Sequence, residues 1–123
     1  MAGSAFAVTL FTPVASVEVA VAEDKPPLPE GAIRISEVKR GQSVVLHGTV
    51  DRIPDEDEII LKDESGKIEI DLGKLGRMPV KVGDTVTVYG RADDDVLPGF
   101  RPDIYASKLV LADGSEIPVE QWD

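Results

Sequence analysis

VVLHGTVDRI–PDED–EIILKD–ESGK–IEIDL, residues 44–72, is the stretch whose reading decides the fold. In its first segment Val44, Leu46, Gly48 and Val50 share one face, and Val45, His47, Thr49 and Asp51 share the other. That strict alternation marks a half-buried strand. Ile59 and Leu61 alternate with Ile60 and Lys62 in a second strand, and Ile68, Ile70 and Leu72 with Glu69 and Asp71 in a third. Asp63-Glu64-Ser65-Gly66-Lys67 carries the residue types of a hairpin turn. A glycine in mid-strand has no packing value of its own. Gly48 therefore predicts a bend or a close backbone approach, as a tightly curled barrel requires.

Downstream, Gly73 to Gly83 has room for at most one helical turn, and Leu75, Met78, Val80 and Val82 are expected to plug the barrel bottom. Thr85 to Ala92 reads as a fourth strand with Val86, Val88 and Gly90 inward, and Asp93 to Pro102 as a long loop. Asp103 to Leu111 reads as a fifth strand whose apolar positions Ile104, Ala106 and Leu109 break the alternation once, the sign of a bulge. Residues 112–123 form a C-terminal extension, a short strand or an extended tail. Upstream, Ser36 is expected to cap a short helical turn that Gly41 ends. Residues 23–31, EDKPPLPEG, form a proline-rich linker, so the folded domain spans 32–111. Residues 1–22 have two readings. Ala20-Val21-Ala22 has the small-x-small form of a signal-peptidase site, without a basic residue ahead of the apolar run; the alternative is an apolar arm. Pro13 and Glu18 interrupt that run, so no membrane span is expected from it.

The 123 residues suffice for one domain, and an aromatic content of 5% requires an aliphatic core. A formal charge of -10, from 23 acidic and 13 basic residues, repels polyanions unless a local basic patch intervenes, and no Lys/Arg run supplies one. Cysteine is absent, which excludes disulfides, thiolate metal sites and thiol nucleophiles.

Together the pattern is all-β: a five-stranded Greek-key barrel of the OB-fold type, with a short helical turn and a C-terminal extension. V-x-L-x-G-x-V-x-x-I, L-K-D-x-S-G-x-I-x-I-D-L and V-G-D-x-V-x-V-x-G over residues 32–111 resemble the bacterial OB-fold family, with Asp63, Ser65, Gly66, Asp71, Gly83 and Asp84 at the family's positions. Its members are small, exported, stress-associated single barrels. The resemblance implies a periplasmic location and non-catalytic ligand binding, without naming a ligand. The loop at 93–102 and the tail beyond Leu111 are additions to the family pattern.

The customary ligand surface of such a barrel is the outer face of its second and third strands with the two flanking loops. Here that surface offers His47, Lys62, Glu69 and Asp71. The flanking loops are acidic: Asp55-Glu56-Asp57-Glu58 and Asp93-Asp94-Asp95. Convergence of Asp55, Asp57, Asp93, Asp94 and Asp95 at one mouth would suit a weakly bound divalent cation, a cationic peptide or a cell-envelope component. The competing reading is that hairpin tips are acidic for solubility and to discourage edge pairing. No cofactor is expected beyond such a cation, and the spacing is not that of a twelve-residue calcium loop. His47, the sole histidine, reads as a surface residue, and no catalytic grouping appears, so the expectation is a non-enzymatic monomer. The alternative is a nucleic-acid-binding OB domain, which lacks the needed aromatic platforms and basic groove. Phe100 and Trp122 are expected to pack at a core edge or within loops.

Overall fold

The computed structural model describes residues 28–122; the signal-peptide and arm readings of residues 1–22, and most of the linker, lie outside them. A 3-10 turn at Ile35–Glu37 precedes six strands: β1 Ser43–Asp55, β2 Glu58–Asp63, β3 Gly66–Asp71, β4 Thr85–Ala92, β5 Ile104–Val110 and β6 Glu116–Pro118. The sheet order is β3-β2-β1-β4-β5-β6, and a parallel β3–β5 pairing at Ile70↔Ile104 closes the first five strands into the expected barrel. β1 is long because it serves two neighbours. Its first half pairs with β4 from Ser43↔Arg91 to Thr49↔Thr85, and its second half pairs with β2 from Thr49↔Lys62 to Asp55↔Glu58. Gly48 sits at the handover. A Cβ there would collide with the Lys62 carbonyl oxygen, so this bend admits only glycine.

The barrel interior is aliphatic. Leu46, Val50, Ile59, Leu61, Ile68, Ile70, Val86, Val88, Ile104, Ala106 and Leu109 are buried, joined by Ile35 from the 3-10 turn and Val80 from the β3–β4 connection. The break in β5 is a bulge: Tyr89 pairs with Lys108 and Gly90 with Ala106, leaving Ser107 extra. A second irregularity, in β1, lies between Val50↔Leu61 and Arg52↔Ile60 and leaves Asp51 without a register partner on β2. Asp63 ties the first strands to the 3-10 turn. Its Oδ1 accepts from Ser65 N and Ser65 Oγ, and its Oδ2 accepts from Ile35 N at 2.9 Å. Burial pushes the Asp63 carboxyl up, but these hydrogen bonds outweigh it and hold the carboxyl below its usual range.

Three local expectations change. Ser36 does not cap the 3-10 turn; it lies inside it and donates its N–H to Ser65 Oγ, while the Glu37 carboxylate accepts from Arg34 N. Val82 is 61% exposed and takes no part in the plug, which Val80, Leu75 and Met78 form. Phe100 and Trp122 are each 66% exposed. Of the two readings of the C-terminal extension, the short strand holds, and β6 joins the sheet. Along the edge of β5, β3 covers Ile104 and Tyr105, and β6 covers Lys108 to Val110. The gap between them is filled by Val119 N donating to Ser107 O at 2.9 Å and by Gln121 Nε2 donating to Ala106 O at 2.8 Å. The same amide donates to Asp71 O at 3.0 Å, so one side chain ties β5 to β3 where their parallel ladder ends.

Candidate functional site

Strand register orders the outer face of the barrel into rows. Lys62 lies beside Lys67, Ile60 beside Glu69, and Glu58 beside Asp71. β1 adds Thr49, Arg52 and Asp55 to those rows, and β5 adds Tyr105 beside Asp71. Continuing the parallel β3–β5 register backwards sets Asp103 next to Glu69 and Arg101 next to Lys67; Arg101 Nη1 donates to Lys67 O at 3.0 Å. The face therefore runs from a cationic row to an acidic one over four residues of strand, about 13 Å.

At the cationic end Asp51 holds both lysines, Lys62 Nζ at 3.3 Å and Lys67 Nζ at 3.1 Å. Its carboxyl is held below the usual range, first by the Lys67 hydrogen bond. At the acidic end, one oxygen from each of Asp55, Asp57 and Glu58 lies within 4.8 Å of the others. The Glu58 carboxyl is pushed up to about 7, because Glu69 is close enough to share its proton, burial disfavours its charge, and Asp57 and Asp55 repel it. Asp103 is also raised, by burial and then by Asp93, Glu58 and Asp71. Tyr105 is raised by burial and by Asp93, whose Oδ2 accepts from the phenol at 3.3 Å.

The residues singled out from sequence divide among several places. Asp55 and Asp57 come together, with Glu58 as their third member. Asp93 is not among them: its N–H donates to Asp103 O at 2.9 Å and its Oδ2 accepts from the Tyr105 phenol. Asp94 turns away to Arg91, at 3.5 Å, and Asp95 contributes a backbone N–H to Asp93 Oδ1. His47 shares a 2.9 Å hydrogen bond with Thr87 on β4 and lines, with Lys62, Arg34 and Glu64, a depression of about 260 Å³. Glu69 lines a different cleft of about 320 Å³ with Arg52, Ile60, Lys67, Ile68, Arg101, Pro102 and Asp103. Asp71 Oδ1 accepts from Gly73 N at 2.7 Å at the acidic end. The second cleft escaped the sequence reading because Arg101 and Asp103 join β3 only through a parallel register, which periodicity does not encode.

A closed β1-β2-β3-β5-β4 barrel with its charged groups on the outer face of β2 and β3 defines an OB-fold barrel. The solved structure of the hypothetical protein ygiW from E. coli has this fold: it matches with a TM-score of 0.50 at 22% identity, over 72% of this chain and 94% of that one. The barrel is thus YgiW-like in architecture, as the family resemblance implied. No protein-family model and no curated protein matches the sequence.

Proposed function

We propose that this protein is a non-enzymatic, exported OB-fold binding protein acting in the periplasm under stress, with the acidic end of its outer face taking a divalent cation or a cationic ligand. The observation that carries the reading is the crowding of Asp55, Asp57, Glu58 and Glu69, which holds the Glu58 carboxyl near 7. Carboxylates that raise one another's proton affinity attract any other cation for the same reason. The periplasmic part rests on the family resemblance and on the small-x-small sequence at residues 20–22. No helix among the described residues is long and apolar enough to cross a membrane. The nucleic-acid alternative finds less support, because the outer positions of β2 and β3 hold Ile60, Lys62, Lys67, Glu69 and Asp71 rather than stacking aromatics.

The test is thermal unfolding with and without calcium at constant ionic strength. A ligand that binds only the folded state raises its stability by mass action. Calcium should raise the Tm of the wild type, and raise it less for the Asp55→Asn/Asp57→Asn double variant. Equal shifts in both proteins, or none in either, refute the proposal.

A further inference from the structure

The cleft between β3 and the β4–β5 connection has a property that an acidic mouth alone does not explain. Its two walls carry charge in the same order. On β3 Lys67 precedes Glu69, and on the facing segment Arg101 precedes Asp103. Two residues of strand separate the positive and negative pairs by about 7 Å. The cleft is also lined by Ile60 and Arg52, which lie in the row of Glu69, and by Ile68 and Pro102, both buried beneath the charged walls. The two pairs do not neutralise each other. Among the described residues no ion pair joins Lys67 or Arg101 to Glu69 or Asp103; Lys67 instead pairs with Asp51. Arg101 is fixed from below, since its Nη1 donates to Lys67 O and a Cβ on Gly66 would come within 2.5 Å of that nitrogen.

We propose that this cleft binds a small extended zwitterion, with its carboxylate on Lys67 and Arg101, its methylenes spanning the two residues of strand between the pairs, and its ammonium on Glu69 and Asp103. The proposal rests on the reading of the outer face as a binding surface and names a ligand class for the part beside the acidic mouth. A guanidinium and an ammonium bind a carboxylate through charge-assisted hydrogen bonds, and paired carboxylates do the same for an ammonium. Opposite charges presented at a fixed spacing select for length as well as for charge, because a ligand lacking either end leaves one pair unmet. Asp103, already raised by burial and by its acidic neighbours, gains from an ammonium placed beside it.

The experiment is a titration of the full chain, followed by amide NMR shifts, with ε-aminocaproate, caproate and hexylamine as probes. ε-Aminocaproate places its two charges at about the two-residue strand spacing. It should move the amides of Lys67, Glu69, Arg101 and Asp103 saturably. Caproate and hexylamine should each bind at least about tenfold more weakly, the loss expected for one charged hydrogen-bonding end. Arg101→Ala should remove the advantage of ε-aminocaproate over hexylamine, and Asp103→Asn its advantage over caproate, with the remaining amide spectrum unchanged as proof of folding. Hexylamine binding as tightly as ε-aminocaproate, or no saturable shift with any probe, overturns the proposal. Calcium added to the same samples separates the two readings. Calcium shifts at Asp55–Glu58 without a zwitterion response leave the acidic mouth standing and remove the cleft. The converse removes the mouth and keeps the cleft.

Discussion

Gln121→Ala tests whether the last residues belong to the barrel. The Gln121 amide donates to Asp71 O at 3.0 Å and to Ala106 O at 2.8 Å, both partly buried, at the point where the parallel β3–β5 ladder has ended. A neutral hydrogen bond contributes about 1 kcal/mol net, so losing two costs about 2 kcal/mol. Water reaching the two carbonyls would lower that figure, and the freed edge of β5 would raise it. For a domain of this size a cost of about 2 kcal/mol lowers Tm by roughly 8–16 °C. Urea unfolding at neutral pH measures it: the midpoint should fall while the slope stays constant, because the surface exposed on unfolding barely changes. Gln121→Glu should be worse, since it replaces the donor with an anion aimed at two carbonyl oxygens. If Gln121→Ala lies within about 0.5 kcal/mol of the wild type, as a plain surface substitution would, the tail only rests on the barrel and the reasoning fails.

Three further outcomes follow from the same contacts. Leu46→Ala, at a fully buried position, should cost about 2–5 kcal/mol by chemical denaturation. Asp63→Ala should cost about 2 kcal/mol, the order expected for hydrogen bonds to a charged group, and should disturb the Ile35 and Ser65 amide resonances together, because one carboxylate holds both. Since the Asp63 carboxyl is held below 3.8, its contribution is complete above that value and is lost as pH falls through the folded pKa; the variant should lose less stability than the wild type on acidification.

The barrel was legible in residues 44–72 because its strands are half-buried and antiparallel neighbours, so each reports its inward face locally. Gly48 and the Asp63–Gly66 turn were legible for the same reason: a close approach and a turn each demand a particular residue. Val82 misled because it is apolar and two residues from the buried Val80, while the connection it occupies is irregular and leaves it in solvent. The C-terminal tail was underread because its attachment depends on a gap in the β5 edge that only closure creates. The site divided in the same way. Asp55, Asp57 and Glu58 are neighbours in sequence and across one hairpin, so their meeting was foreseeable. Arg101, Asp103 and Tyr105 join the face through the approach to β5 and β5 itself, and Asp94 instead pairs with Arg91, three residues back.

The acidic end of the outer face is short of positive charge. Carboxyl-carbon NMR titration of Glu58, repeated with saturating calcium, measures it most directly. The folded carboxyl, raised from 4.5 to about 7, keeps a proton that the unfolded chain releases across that window. Stability therefore falls as pH rises between those values, by an amount that solvent screening keeps small at this partly exposed group. Calcium competes with that proton. The free protein should show a midpoint near 7, with a clear fall when calcium is added. A midpoint near 4.5, unmoved by calcium, would contradict it.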